Sequence, residues 1–167
     1  KRLKSHDLDL VAYDPFASQA ALDADCPGVA LAGLDEVFAT SDVVSVHTPD
    51  LPETRGMISE RLLSSMKQGT SFINTARGAV VDEAALVRTL AARSDLTAFL
   101  DVTFPEPPAE GSPLYSMANL FLTPHLAGSA GDECHRMAQM VVEEAERYLK
   151  GEPLRWSVTE ERAKVMA

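Results

Sequence analysis

The fold prediction begins with one stretch of the sequence, SFINTARG at residues 71–78. Its first three residues form a short apolar run, and an amphipathic helical pattern starts near Asp82. A strand that ends in Arg-Gly and leads into a helix places Arg77 at the carboxyl edge of a sheet, where open α/β sheets bind ligands. Because the chain carries a net charge of −10, we interpret Arg77 as a cation placed to face an anion.

Short apolar runs recur along the rest of the chain, and helical patterns separate most of them. The runs occupy residues 8–12, 43–46, 71–73, 97–100 and 120–122. The helical patterns cover residues 34–39, 59–67, 82–93 and 132–150. Strands that alternate with helices predict βαβ units, an α/β fold and a mostly parallel sheet, with strands covered on both faces.

Two further segments have clear sequence signals. Ser129 and Asp132 fit a capping box at the start of the last long helix, and Gly151 fits its end. Residues 103–113, TFPEPPAEGSP, contain four prolines and a glycine. Because proline cannot donate a backbone hydrogen bond, this segment is predicted to be a long loop without regular structure.

Composition and charge argue against several classes of function. The 25 acidic residues outnumber the 15 basic ones, so no basic stripe is available for nucleic acid or for an anionic membrane surface. No stretch approaches the roughly 20 apolar residues of a membrane span. Two cysteines, Cys26 and Cys134, do not form a disulfide framework and indicate reduced thiols in a cytoplasmic protein. Neither His-Glu-x-x-His nor paired Cys-x-x-Cys occurs, so we expect no metal site.

Each predicted strand is followed by a polar or ionisable residue. In a parallel sheet, residues at the carboxyl ends of the strands converge on one crevice, which is where ligands bind. In chain order, these residues are Asp14, His47 with Thr48, Asn74 with Arg77, Asp101 with Glu106, and Thr123 with His125.

Each of these residues also has an interpretation without function. For isolated residues such interpretations compete closely with a role in a site, and coincidence at one sheet edge is what favours the site. The alternatives are turn formation for Asp14, Asp101 and His125, a solvated surface position for His47 and Glu106, and a structural ion pair with Asp82 or Glu83 for Arg77.

Three of the residues form a plausible catalytic set. A histidine with a carboxylate partner, here His125 with Glu106, can act as a general acid and base. An arginine such as Arg77 presents a two-pronged hydrogen-bond donor to a substrate carboxylate. Together with a nicotinamide, these groups suit hydride transfer at a 2-oxo or 2-hydroxy acid. Asp14 at a strand end can accept hydrogen bonds from ribose hydroxyls, which favours NAD over NADP.

Several motifs resemble, in the same order, those of the D-isomer-specific 2-hydroxyacid dehydrogenases, a family that includes phosphoglycerate dehydrogenase and the glyoxylate/hydroxypyruvate reductases. The motifs are YDP (13–15), VHTP (46–49), NTARGAVVDEAAL (74–86), DVTFPEP (101–107) and LTPHLAG (122–128). The resemblance implies that His125 protonates the substrate oxygen as hydride arrives from NADH. It also implies that Glu106 tunes His125 and that Arg77 holds the substrate carboxylate.

The resemblance further implies a set of cofactor contacts and a homodimer. The matching positions are Asp14, Thr48, Thr75, Ala76, Arg77, Asp101, His125, Leu126, Ala127 and Gly128.

The chain departs from the family at its dinucleotide loop, because no Gly-x-Gly-x-x-Gly occurs in it. By the resemblance, this loop and the first Rossmann strand belong before residue 1, and residues 1–5 are the last turn of the helix that the loop opens. We therefore expect an incomplete Rossmann-type, doubly wound parallel sheet. Residues 1–128 are expected to form a partial NAD-binding domain, residues 129–151 a helix that packs on a substrate domain, and residues 152–167 a tail. The chain alone is expected to bind NAD weakly and to be inactive.

Two other functions remain open from the sequence. Transcriptional corepressors that resemble this family use the NAD-bound fold to recruit protein partners without catalysis. Formate or phosphonate dehydrogenases share the fold as well, although a Gln-His pair is typical of the formate enzymes. Glu106 therefore favours 2-hydroxy acids.

Overall fold

The computed structural model describes residues 2–166, and its elements follow the order expected of βαβ units. The strands are β1 (Leu10–Ala12), β2 (Val29–Leu31), β3 (Val43–Val46), β4 (Ser71–Asn74), β5 (Thr97–Leu100) and β6 (Leu120–Leu122). The helices are α1 (Gln19–Asp25), α2 (Leu34–Thr40), α3 (Glu60–Ser65), α4 (Glu83–Ala92), α5 (Asp132–Lys150) and α6 (Glu160–Ala163). Short 3-10 turns span Arg2–Ser5, Gly78–Val80 and Pro113–Tyr115.

The strands form two parallel sheets. A four-stranded sheet has the order β3-β4-β5-β6, and a two-stranded sheet pairs β1 with β2. Within residues 2–166, no strand pairing joins β1 to β3. This arrangement confirms the predicted α/β fold, and the break between β1 and β3 agrees with an incomplete Rossmann-type sheet. Residues 2–5 form a 3-10 turn rather than an α-helical one, and residues 1 and 167 lie outside the described part.

The sequence analysis missed β2 and α1, both of which are short and poorly buried. None of the α1 residues is buried, so the helix contributes no apolar face to the core. The two elements are instead joined through one polar side chain. Gln19 Nε2 donates to the carbonyl of Val29 at 2.9 Å, and Gln19 Oε1 accepts from the backbone N–H of Leu31 at 2.8 Å.

The hydrophobic core lies on one face of the four-stranded sheet. Strand residues alternate between this face and the other, because successive side chains in a strand point in opposite directions. The strand residues on the core side include Val44, Val46, Phe72, Ala98 and Leu100. They pack against apolar side chains of α2, α3 and α4, which include Phe38, Leu62, Leu63, Leu86 and Leu90.

The opposite face of the sheet is open, so the prediction that the strands are covered on both faces was wrong. Val43 is 56% exposed, and the rings of Phe99 and Phe121 stack at the surface with centroids 5.1 Å apart. The apolar character of these strands had suggested burial on both sides. In the described chain, no helix covers the outward set.

Helix α5 has the predicted bounds, but its N-cap differs from the predicted one. Gly131, with a φ of 57°, precedes the helix, and no side-chain cap is formed there. The predicted capping box of Ser129 and Asp132 was therefore wrong. The predicted end is confirmed, because Gly151 adopts the left-handed conformation with a φ of 69°. No α5 residue is buried, and apolar side chains such as Met137 and Tyr148 are exposed.

The proline-rich segment after β5 lacks regular structure up to the turn at Pro113, as predicted. Its peptide bonds before Pro105 and Pro107 are cis. Thr103 Oγ1 donates to the carbonyl of Pro105 at 2.8 Å. This loop carries Glu106 toward the end of β6.

Candidate active site

The carboxyl edge of the four-stranded sheet gathers most of the predicted residues into two neighbouring groups. The first group surrounds an open cavity between the ends of β3 and β4. It is lined by His47, Thr48, Pro49, Ala76 and Arg77, together with Val165 and Met166. The second group comprises Asp101, Glu106 and His125, which are joined by hydrogen bonds beyond the ends of β5 and β6.

A buried asparagine shapes the turn that presents Arg77. Asn74 is 1% exposed at the end of β4. Its Oδ1 accepts from the backbone N–H of Ala76 and its Nδ2 donates to the carbonyl of Arg77, both at 3.0 Å. Because both amide atoms are used, the turn is fixed from within the core, while the Arg77 side chain remains exposed.

The structure does not support an ion pair between Arg77 and the start of α4. Asp82 caps that helix by accepting from the backbone N–H of Ala85 at 2.9 Å, and Glu83 accepts from the backbone N–H of Phe104. Arg77 Nη1 donates to the carbonyl of Ala76 at 2.7 Å. Among the described residues, Arg77 forms no ion pair with a carboxylate.

Asp101 organises the turn that follows β6. It is 5% exposed, and its carboxylate accepts hydrogen bonds from the backbone N–H groups of Leu126 at 2.7 Å and Ala127 at 2.8 Å. The hydroxyl of Thr123 donates to the same carboxylate. Burial acts to raise the pKa of Asp101, but these hydrogen bonds outweigh it and hold that pKa below the ordinary value.

The same turn sets the backbone of His125. Its N–H donates to the carbonyl of Asp101 at 3.1 Å. Its φ of 53° is the only positive value at a non-glycine residue among residues 2–166, and such a conformation costs energy and persists only where the surroundings enforce it. These contacts favour the interpretation of Asp101 as a turn residue, while its contact with a cofactor stays a prediction.

Glu106 and His125 form a direct pair. Glu106 Oε1 lies 2.6 Å from Nδ1 of His125, and each side chain is a little under half exposed. A carboxylate accepts hydrogen bonds, so this contact makes Nδ1 the donor. The second ring nitrogen, Nε2, lies on the side of the imidazole away from Glu106.

Asp14 belongs to the other sheet, so the strand-end residues are divided between the two sheets, and the convergence of Asp14 with the other residues on one crevice stays a prediction. Asp14 follows β1 in the separate two-stranded sheet, and its Oδ1 accepts from the backbone N–H of Phe16 at 2.8 Å. That contact is the turn predicted as the alternative. His47 Nε2 lies 3.0 Å from Ser45 Oγ.

The other predicted cofactor contacts have the following places. Thr48 and Ala76 line the cavity, and Thr75 is exposed in the turn before Arg77. Leu126 and Ala127 bind Asp101 through their backbones, and Gly128 follows them at the surface. Their roles stay predictions.

Sequence reasoning missed the two tail residues in the cavity. Val165 is 40% exposed and Met166 51% exposed, and the weak periodicity of residues 152–167 gave no signal for their position. Over residues 2–166, no cluster of three potential metal ligands occurs. No helix in that range is both long and apolar enough to cross a membrane.

Comparisons with known proteins agree on one family. The sequence model of "D-isomer specific 2-hydroxyacid dehydrogenase, NAD binding domain" matches residues 1–127. The D-3-phosphoglycerate dehydrogenase of Archaeoglobus fulgidus is 38% identical over 158 residues, which cover 95% of this chain and 30% of the relative. The chain thus spans about a third of the length of that relative.

Two solved structures are similar in fold and sequence. One is a D-isomer specific 2-hydroxyacid dehydrogenase from Xanthobacter autotrophicus in complex with NADPH and MES. It has a TM-score of 0.76 and 37% identity, with 96% of this chain and 64% of that chain covered. The other is the holo form of Rhodotorula graminis D-mandelate dehydrogenase, with a TM-score of 0.83, 31% identity and coverage of 95% and 46%.

The parallel sheets with their flanking helices define a Rossmann-like α/β domain. The chain belongs to the NAD-binding domain family of the D-isomer specific 2-hydroxyacid dehydrogenases. Both the predicted family and the predicted cofactor class, NAD, are thereby confirmed.

Proposed function

We propose that the whole protein to which this chain belongs transfers hydride between NAD(H) and a small D-2-hydroxy acid or 2-oxo acid. The observation that carries the proposal is the contact of 2.6 Å between Glu106 Oε1 and His125 Nδ1, at the same sheet edge as Arg77. An acid–base pair and an arginine that forms no ion pair within residues 2–166 lie at one edge, and together they suit the reduction of a carbonyl that neighbours a carboxylate.

His125 holds and moves the proton in this proposal. Glu106 accepts from Nδ1 and fixes the ring orientation, so that Nε2 is available to a substrate oxygen. In the direction of reduction, Nε2–H donates its proton to the carbonyl oxygen as that oxygen gains negative charge. In the direction of oxidation, neutral Nε2 accepts the hydroxyl proton. The carboxylate of Glu106 stabilises the imidazolium form in both directions.

Arg77 binds the substrate carboxylate. Its guanidinium is exposed beside the cavity, and Asp82 and Glu83 are engaged with backbone N–H groups. Because Arg77 has no carboxylate partner among the residues that the structure describes, its guanidinium can donate two parallel hydrogen bonds to a substrate carboxylate, which orients the neighbouring carbonyl.

The carboxyl-edge residues fit a dinucleotide in part. Asp14 at the end of β1 suits the ribose hydroxyls, and the open cavity beside Thr48, Ala76 and Arg77 suits the nicotinamide end. When bound, NADH supplies the hydride that reaches the substrate carbon. The sequence contains no Gly-x-Gly-x-x-Gly for the pyrophosphate in the middle of the cofactor, so the fit rests on the ribose and on the nicotinamide end.

The test is an assay of the whole protein with NADH and a panel of 2-oxo acids that includes glyoxylate, hydroxypyruvate and 3-phosphohydroxypyruvate. We expect NADH to be consumed with at least one of them, followed at 340 nm. Absence of turnover across the panel, with NADH binding retained, would favour the non-catalytic, corepressor-like alternative. His125→Gln serves as the inactive control.

We infer further that the whole protein is a cytoplasmic homodimer. Its free cysteines, Cys26 and Cys134, suit a reducing compartment. The exposed apolar side chains of α5 suit a contact outside residues 1–128, which also supports the proposed division into residues 1–128, 129–151 and 152–167. Light scattering of the whole protein measures its oligomeric state.

A further inference from the structure

The turn that carries Arg77 and the loop that carries Glu106 meet at Gly78. A Cβ atom added to Gly78 would lie 2.1 Å from both the carbonyl carbon and oxygen of Thr103, and 2.6 Å from its Cα. These are backbone atoms, so a larger residue at position 78 must displace the loop itself. Gly78 does not have a positive φ, so the glycine is required for space rather than for its conformational freedom.

A side chain from α4 holds the same loop one residue further on. Glu83 Oε2 accepts from the backbone N–H of Phe104 at 3.1 Å. Glu83 is the first residue of α4 and is partly buried. A glutamate in the first turn is also expected from the helix dipole alone, but here its carboxylate reaches across to a loop that is 21 residues away in sequence.

The two contacts fix the backbone immediately before Glu106. Gly78 sets how closely Thr103 approaches, Glu83 anchors Phe104, and Thr103 Oγ1 binds the carbonyl of Pro105. Glu106 is the next residue, and its carboxylate must reach Nδ1 of His125 beyond β6. A shift of the loop moves the Glu106 backbone relative to His125 and so changes the geometry of that 2.6 Å contact, and hydrogen bonds weaken steeply away from their preferred distance and angle.

We propose that Gly78 and Glu83 are positioning residues for the Glu106–His125 pair. Gly78 adjoins Arg77 in the chain, so the same close approach also fixes the position of the carboxylate-binding turn relative to the acid–base loop. The catalytic meaning of this arrangement rests on the proposed function, whereas the positioning of the pair does not.

The positioning is tested on the 167-residue chain without any turnover assay. Long-range 1H–15N correlation spectra of the imidazole rings report which ring nitrogen carries the proton, and the His125 signals are assigned with His125→Gln. At pH about 9, where a free imidazole is neutral, we expect the Nδ1–H tautomer to dominate at His125, because Glu106 accepts from Nδ1. In Glu83→Ala and in Gly78→Ala, the ratio of Nδ1–H to Nε2–H should fall about fivefold, the effect of losing one typical hydrogen bond.

Three variants separate positioning from general destabilisation. Glu83→Gln keeps an oxygen that can accept from the N–H of Phe104, so the tautomer ratio should return toward that of the original chain. Glu60→Ala removes the matching first residue of α3, which pairs with Arg88 at the surface, and should leave the ratio unchanged. Gly33→Ala adds a methyl group where no atom lies within 4 Å, and should also leave it unchanged.

Two results would overturn the proposal. The first is an unchanged tautomer ratio in folded Glu83→Ala, which decides the matter even if Gly78→Ala does not fold. The second is the finding that the Nδ1–H tautomer of His125 does not dominate in the unsubstituted chain. Glu106 and His125 would then form no hydrogen bond that Gly78 and Glu83 could position. If the ratios change as expected but the whole protein reduces no 2-oxo acid, the positioning stands and the proposed function falls.

Discussion

Nδ1 of His125 lies 2.6 Å from Oε1 of Glu106, although 19 residues separate the two in the chain. Neither side chain is fixed by burial, since each is a little under half exposed. Their meeting depends instead on backbone that is fixed on both sides. Asp101 holds the turn around His125, and the close packing of Thr103 on Gly78 holds the loop before Glu106.

Replacing Glu106 by glutamine should slow catalysis without weakening substrate binding. Glutamine keeps the shape and an acceptor oxygen, but it removes the negative charge that stabilises protonated His125. We expect kcat of the whole protein to fall about 100-fold, with KM for the 2-oxo acid little changed. Steady-state kinetics with NADH measures both constants.

Glu110→Gln is the matched control, because Glu110 is an exposed carboxylate in the same proline-rich loop. It should leave kcat and KM as they were. A Glu106→Gln variant with an unchanged kcat would show that the charge of Glu106 does not assist His125 in catalysis.

Replacing Arg77 by lysine should weaken substrate binding while keeping the positive charge. Lysine cannot offer the planar, two-pronged arrangement of donors that matches a carboxylate. Losing one charge-assisted hydrogen bond should raise KM for the 2-oxo acid of the whole protein about 10-fold or more. The exchange Arg88→Lys, in a surface ion pair with Glu60, controls for the general effect of the substitution. An Arg77→Lys variant with the original KM would contradict the proposed carboxylate contact.

Asp101 should make the stability of the chain depend on pH in the acid range. Its pKa in the folded chain lies below the ordinary value of 3.8, since the hydrogen bonds from Thr123, Ala127 and Leu126 outweigh the effect of burial. A carboxyl whose pKa is lowered by folding stabilises the folded state above its unfolded pKa. That contribution is lost as the pH falls below about 4 toward the folded pKa.

The Asp101→Asn substitution tests this dependence. Asparagine presents a donor where two backbone N–H groups need acceptors, so we expect a loss of about 2 kcal/mol in the free energy of unfolding at pH 7. The difference between the two chains should shrink as the pH falls from 5 to 3. Urea unfolding at several pH values measures it, with Asp7→Asn at an exposed position as the control. A difference that stays constant with pH would show that the charge of Asp101 is not the cause.

The sequence predicted the four-stranded sheet because its strands have strong local signals. Val43–Val46 and Thr97–Leu100 have the bounds that their apolar runs suggested. β2 and α1 escaped detection because the polar side chain of Gln19 holds them together. A buried apolar face, which a sequence pattern would reveal, does not join them. The open face beside Phe99 was missed for a related reason, since an apolar run indicates burial without saying which face is covered.

The sequence predicted which residues belong to the candidate site, but it did not predict how their backbones are held in place. The strand ends indicated Arg77, Asp101 and His125 as candidates, the proline-rich loop indicated Glu106, and the roles of all four stay predictions. The positive φ of His125 and the close approach of Gly78 to Thr103 depend on contacts between segments distant in sequence. No pattern in a single sequence reveals such contacts.

The 167-residue chain by itself should bind NAD weakly, with a Kd well above the micromolar range. The pyrophosphate of a dinucleotide is normally bound by the backbone N–H groups of a glycine-rich loop at a helix N-terminus, and this sequence contains no Gly-x-Gly-x-x-Gly. Asp14 remains for the ribose, but its Oδ1 already accepts from the N–H of Phe16. Isothermal titration calorimetry measures the Kd, and Asp14→Ala should weaken the residual binding further, whereas Asp23→Ala on the surface of α1 should not. Micromolar binding by the chain alone would mean that the carboxyl-edge residues, and not a glycine-rich loop, supply most of the affinity.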